Sequence, residues 1–297
     1  MLSKENTPNL LRIADDGVFY LNAYSLGSIT QLSMPYLLSG MKNFDVKQNI
    51  QTKIKTFGYK SKLLTTNFDP VYESFRYGFD ESDYQPSLKT PIANRVKRKL
   101  GWYIDEHFPS SLRRSIHRIY TKVFGKPIGY LPADEMFELA YNLINGDVFL
   151  WIHLMDSHIP YSPKPSISIS RKEIEEANTN LLNAVWLKGS LTFDEIKFIK
   201  KLYRLNVMEM DAAIGTFYDH VKDDCVFILT SDHGDEHGEE ENNFGHKAHR
   251  VNDVLRHIPL IISGHGKHGV KTDRLEMDLL PRIILKLAED AAKKEEL

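Results

Sequence analysis

Two stretches of this sequence place aspartate and histidine directly after an apolar run. Cys225 to Leu229 leads into Ser231-Asp232-His233-Gly234-Asp235-Glu236-His237-Gly238-Glu239, followed by Phe244-Gly245-His246-Lys247. Val148 to Ile152 leads into His153-Leu154-Met155-Asp156-Ser157-His158-Ile159-Pro160-Tyr161. A carboxylate and an imidazole at one strand tip can hold a single divalent cation, with Gly234 letting the backbone turn sharply. A buried strand running straight into Asp-His is costly unless those groups find a partner. Asp232 and His233 are therefore the candidate metal ligands, and His158 joins them as a candidate at the second strand end. His237, His249 and His265 have no such positional argument and read as incidental. Cleaving an ester also requires a nucleophile or an activated water. The hydroxyl-rich turn Ser28-Ile29-Thr30-Gln31-Leu32-Ser33-Met34-Pro35 offers one, although the same residue types cap helices, and one of them is expected to cap the helix that follows.

The elements that must position these groups follow from apolar patterning. Lys62–Thr65, Val148–Ile152, Val226–Leu229 and Pro259–Ile262 read as strands, the last three apolar without alternation, as in a sheet covered on both faces. Helical spacing runs over Asn49–Phe57 with Gly58 as a stop, Glu135–Ile144, Phe193–Tyr218 with Thr192 as N-cap, and Met277–Leu287. This alternation predicts an α/β fold, a mixed and mostly parallel sheet sandwiched between helices. Ligands of such sheets gather at the carboxyl ends of the strands, where both Asp/His stretches fall. Residues 81–130 interrupt the rhythm. They are polar and basic, with Arg95, Lys97, Arg98, Lys99, Arg113, Arg114, Arg118, Lys122 and Lys126 against Asp105 and Glu106, and read as a helical insertion with a solvated basic face. Residues 162–191, rich in Ser, Pro and Asn, read as a long loop.

The 297 residues suit one large domain, long enough to bury a core without staples. The single cysteine, Cys225, excludes an internal disulfide framework, and its apolar run marks it as a buried structural thiol. A net charge of −2 argues for no polyanionic partner, and nucleic acid is not expected. No apolar run approaches the length of a membrane span, and the first residues lack a signal-peptide core. As written, the sequence is expected to be cytoplasmic.

The whole pattern resembles the sulfatase family of the alkaline phosphatase superfamily. Thr7-Pro8-Asn9-Leu10, Asn22-Ala23-Tyr24, Ser33 to Gly40, Gly58-Tyr59, Thr66-Asn67, Gly78-Phe79-Asp80, the His153…Tyr161 segment, Ser231-Asp232-His233-Gly234 and His257 to Ile262 follow in the family's order. The resemblance implies a divalent metal (Ca, Mn or Mg) held by Asp232, His233 and Thr30. It further implies that His158 and His246 contact substrate oxygens or the leaving group, and that Lys247 supplies a charge-assisted contact to the oxyanion. An ungapped count from Asn22-Ala23-Tyr24 to Gly40 puts Thr30 at the nucleophile position. Sulfatases carry there a Cys or Ser oxidised to formylglycine, within a Cys/Ser-x-Pro-Ser-Arg signature. This sequence has Thr30-Gln31-Leu32-Ser33-Met34, which lacks the Pro and Arg, and Thr cannot become formylglycine. The departure moves the expected substrate from sulfate toward phosphate esters of a small molecule, a glycan or a lipid head group.

A second departure lies at the start. The family places an apolar strand ending in Asp well before the Thr-Pro-Asn-Leu segment, and only six residues precede Thr7 here. The Asp15-Asp16 pair is read as solvated and no substitute. The expected organisation is one sulfatase-like domain over 1–297, N-terminally truncated, with the basic insertion inside it. A preceding segment would open periplasmic, secreted or membrane-anchored locations. The alternative expectation is a catalytically impaired scaffold that binds anionic ligands through the basic insertion.

Overall fold

The structure is a computed structural model that describes residues 2–67, 74–84, 130–187, 189–239 and 243–295. In chain order the elements are α1 (Pro8–Asp15), β1 (Gly17–Tyr24), α2 (Thr30–Ser39), α3 (Ile50–Lys53), β2 (Lys60–Thr65), β3 (Glu81–Tyr84), α4 (Ala133–Ala140), β4 (Val148–His153), α5 (Arg171–Leu187), α6 (Phe193–Val221), β5 (Phe227–Thr230), β6 (Glu236–His237), β7 (Phe244–Gly245), α7 (Asp253–Arg256), β8 (His257–Ser263), β9 (Gly269–Lys271), β10 (Leu275–Glu276) and α8 (Leu280–Glu295). One sheet has the order β10-β1-β8-β5, with β9 also beside β1. Its β8 is antiparallel to both β1 and β5. A second sheet, β3-β2-β4, is wholly parallel. A two-stranded hairpin, β6-β7, stands apart from both.

The unbroken apolar runs have a simple cause. Successive strand residues point to opposite faces, and both faces are covered. Leu63, Leu260 and Ile262 pack against Met34, Leu37, Ile50, Ile54 and Ile284 on one side, under α2, α3 and α8. Leu64 and Ile261 pack against Leu10, Ile13, Met136, Ile214 and Phe217 on the other, under α1, α4 and α6. The expected mixed sheet sandwiched between helices is the observed fold. Helix α6 starts at Phe193 as expected, with Thr192 and Glu195 forming a reciprocal capping box.

Three expectations are corrected. The stretch 162–191 is not a long loop: α5 spans most of it, because Ile174, Ala177 and Leu181 recur at helical spacing and bury against Ile199 and Leu202 of α6. The Ser and Asn content conceals that spacing, and some of it is structural, since Asn178 ties the backbone of Tyr161 at both N–H and carbonyl. Strand β1 was not expected at all; it is defined by its pairing along the distant β8. The N-cap of α2 is Ile29, with no side-chain cap, which leaves the Thr30 hydroxyl free to point elsewhere. Of the basic insertion, residues 85–129 lie outside the described residues. Asp15 and Asp16 are both exposed, as expected, with Asp16 accepting from the Tyr218 hydroxyl at 3.4 Å.

Candidate active site

Strands β1, β4 and β5 end at the same edge of the molecule, and the loops after them converge. Ser25, just past β1, donates its hydroxyl to the Asp232 carbonyl just past β5 at 2.5 Å. Ser28 donates to the Lys247 carbonyl after the β6-β7 hairpin at 3.2 Å. These bonds pin the loop that carries Thr30 against the two segments that carry Asp232 and His246. Gly234 has no left-handed backbone; it is required by close approach, because a Cβ there would sit 2.1 Å from the Val254 carbonyl oxygen. That contact, with the Gly234 N–H donating to the Leu255 carbonyl at 2.8 Å, aims the preceding Asp-His pair.

At the centre lies the Thr30 hydroxyl. It donates to Asp232 Oδ2 at 2.8 Å and lies 3.3 Å from His233 Nε2. Burial alone would raise the Asp232 pKa, but His233, His153 and the Thr30 hydroxyl together hold it below the usual carboxylate value, so it is an anion at neutral pH. The His233 Nδ1–H donates to the Gly234 carbonyl at 2.8 Å. That bond leaves the Nε2 lone pair facing Thr30, in the form a metal ligand needs.

The hairpin adds a second group. Asp235 immediately precedes β6 and His246 immediately follows β7, so the two-strand ladder brings them together, with His246 Nδ1 donating to Asp235 Oδ1 at 2.6 Å. Burial would depress His246, yet the Asp235 bond and charge raise its pKa above the ordinary value. The His246 ring lies 4.2 Å from that of His233 and 5.2 Å from that of His158. His158 is lowered by burial, against the pull of Asp235, and its Nδ1–H faces its neighbour's carbonyl. Ligand atoms of His233, Asp235 and His246 all lie within 4.8 Å of one another. Two imidazoles and a carboxylate are a donor set that suits a divalent transition metal or a mixed N/O site.

The sequence-read residues Thr30, Asp232, His233, His158 and His246 therefore meet. Lys247 reaches the site through its backbone, while its amine contacts Asn243 at 3.4 Å. Sequence reasoning missed Asp235, whose only signal was its place three residues after Asp232 in the same motif. It also missed His153 at the tip of β4, where burial lowers the pKa and Asp232 lies close enough to oppose that. His237 does not lie in an open polar loop. It is buried, accepts or donates at 2.9 Å to the Tyr161 hydroxyl, and packs 4.2 Å from the Tyr203 ring. Cys225, expected to be buried, is only partly so, packed against the core under α1 and α6, and its desolvation pushes the thiol up to about 11.

Asp156 has a different role from the neighbouring histidines. Its Oδ1 accepts from the Ala133 N–H at the start of α4 at 2.9 Å, and burial raises its pKa to about 6 from 3.8. A carboxyl whose folded pKa is raised binds its proton more tightly when folded. Its contribution is thus favourable below about pH 4 and is lost as pH rises to about 6. The two-unit difference corresponds to about 3 kcal/mol at 1.36 kcal/mol per unit. Asp156→Asn keeps the cap acceptor and is expected to flatten this slope, which urea unfolding between pH 4 and 7 measures. An unchanged slope would place the titrating group elsewhere.

A family profile described as Sulfatase matches residues 2–285. No curated protein matches the sequence. Among solved structures, the fold is similar to the phosphonate monoester hydrolase of Agrobacterium radiobacter (TM-score 0.62, 18% identity, covering 95% of this chain and 69% of that one). It is also similar to the zinc complex of the C-terminal periplasmic domain of EcEptC from Escherichia coli (TM-score 0.62, 13% identity, 96% and 75% covered). A third similar structure is the PsFucS1 sulfatase from Pseudoalteromonas sp. (TM-score 0.54, 14% identity, 95% and 62% covered). These likenesses concern the fold. The profile match over nearly all the residues, and a site whose strand tips assemble the Asp-His motif around a hydroxyl, place this chain in the sulfatase family, whose members use a divalent metal ion.

Proposed function

We propose that the chain cleaves or transfers phosphate esters in preference to sulfate esters, with Thr30 as the nucleophile. The reading rests on one observation: the Thr30 hydroxyl is held between the Asp232 carboxylate and His233 Nε2. A divalent cation bound by Asp232 and His233 beside Thr30 would lower the hydroxyl pKa and neutralise charge on the substrate's equatorial oxygens. Thr30 Oγ forms a bond to phosphorus as the bond to the leaving oxygen breaks. Its proton is held by Asp232, and the leaving oxygen takes a proton from His246, whose hold on that proton the Asp235 bond strengthens. Water or an acceptor hydroxyl then displaces Thr30, returning a proton to His246, and Asp232 reprotonates Thr30. His158 faces the same space and contacts the substrate oxygens; Lys247 adds charge at its rim. The substrate is an ester of a small molecule, a glycan or a lipid head group.

Mg²⁺, Mn²⁺, Ca²⁺ or Zn²⁺ at a hundred times its Kd is expected to stabilise the fold by about 2.7 kcal/mol. Asp232→Ala removes that gain, as read by thermal unfolding with each metal in turn. Melting that ignores all four metals overturns the reading. Faster turnover of p-nitrophenyl sulfate than of p-nitrophenyl phosphate or a phosphodiester overturns the substrate preference.

A further inference from the structure

Among the described residues, the β6-β7 ladder pairs Glu236 with Gly245 and His237 with Phe244. So short a ladder is marginal by itself, yet it sets how Asp235 and His246 meet. Successive strand residues point to opposite faces, and both faces of β6 are tied down. Glu236 is held by Arg250 and Asn252. His237 faces the other way, buried, and takes no part in the proposed chemistry.

The His237 ring is fixed on several sides. Its Nε2 accepts from the Tyr161 hydroxyl at 2.9 Å, its other ring nitrogen donates to the Asp235 carbonyl, and the Tyr203 ring lies 4.2 Å away. Tyr161 is itself locked. Asn178 of α5 accepts from its N–H at 2.8 Å and donates to its carbonyl at 2.5 Å, while a bond to the Ile174 carbonyl at 3.0 Å holds Asn178. The Tyr161 ring and Phe244 of β7 share one core with α5 and α6. A chain of bonds therefore runs from α5 through Tyr161 and His237 to the Asp235 backbone, and the Asp235 carboxylate passes it to His246 at 2.6 Å. The same chain joins the two loops of the site, because Tyr161 lies three residues after His158, whose ring is 5.2 Å from that of His246. Burying a phenol and an imidazole costs free energy that a correctly aimed bond offsets. A leucine at position 237 would fill the space without that cost, so packing alone does not account for the pair.

We propose that Tyr161 and His237 are positioning residues: the Tyr161 hydroxyl, aimed by Asn178, holds the His237 ring so that the Asp235 carboxylate meets His246 and the leaving oxygen receives its proton. This rests on the role proposed above for His246. The test compares kcat/KM for a phenyl and a p-nitrophenyl phosphate ester, since nitrophenolate departs without a proton and phenolate needs one. Tyr161→Phe removes one oxygen and keeps the buried ring. It is expected to lower kcat/KM for the phenyl ester at least about tenfold, within the contribution of a general acid, and to leave the p-nitrophenyl ester within about threefold. His237→Leu should give the same selective loss, and the double variant no further loss, because the two side chains act as one unit. A readout free of turnover is NMR of the metal-free protein with ¹⁵N-labelled histidine. The His246 Nδ1–H, sheltered by Asp235, should exchange with solvent at least about tenfold faster in Tyr161→Phe. Equal losses with both esters overturn the proposal, as does unchanged exchange of that proton. If the wild type turns over neither ester, the proposed chemistry fails, and the exchange rate still decides whether the pair positions Asp235 and His246.

Discussion

Thr30→Ala is expected to reduce turnover of phosphate esters by at least about a thousandfold, as removal of a nucleophile does elsewhere. The residue sits in the first turn of α2, half-buried, and its hydroxyl is committed to Asp232 rather than to capping. Removing it costs one hydrogen bond, about 1 kcal/mol in stability, so the protein remains folded. The two effects therefore separate cleanly in one comparison of kcat with the unfolding midpoint. Thr30→Ser keeps the hydroxyl and is expected to retain measurable activity, since only the methyl that restricts its rotamer is lost. Quenched digestion of the wild type during turnover should locate the phosphoryl group on residue 30. Activity of Thr30→Ala within tenfold of wild type would move the nucleophile to another group.

Arg250→Met is expected to destabilise the protein by about 3–5 kcal/mol, the range for removing one partner of a buried ion pair. Glu236 is 1% exposed, and its Oε1 accepts from Arg250 Nε at 3.1 Å, Arg250 Nη2 at 2.9 Å and Asn252 Nδ2 at 2.9 Å. Without the guanidinium, a carboxylate is left desolvated inside the hairpin whose ends carry Asp235 and His246. The same substitution should weaken metal binding roughly 10–100-fold, because groups that hold ligands in place act at about that level. Urea unfolding without metal reads the first effect and calorimetric metal titration the second. Glu236→Gln combined with Arg250→Met removes the stranded charge and is expected to recover most of the stability. A loss below about 1 kcal/mol for Arg250→Met would mean that solvent reaches Glu236 readily.

Much of the fold was legible because its physics is local. A strand covered on both faces must be apolar at every position, and Val148–Ile152, Val226–Leu229 and Pro259–Ile262 carry that mark. Thr192 with Glu195 announces the start of α6 through a bond pattern confined to four residues. Helix α5 was missed because its buried apolar positions, Ile174, Ala177 and Leu181, are diluted by Asn and Glu, and only α6 makes them a face. Strand β1 was missed because pairing with β8, more than two hundred residues away, decides it.

The site divides along the same line. Sequence alone determined that Asp232 and His233 stand at a strand tip, since a buried run cannot end in such groups without a partner. The second strand tip brought in His158, and the order of motifs brought in Thr30 and His246. Only the tertiary structure decided that Asp235 belongs with them, because its neighbour His246 is supplied by a hairpin whose register no local pattern fixes. It likewise decided that Gly234 serves a close approach rather than an unusual backbone angle, and that His237 is buried against two tyrosines. Residue types say which groups can do chemistry; the protonation and aim of each depend on charges and walls contributed from distant parts of the chain, and those exist only once it has folded.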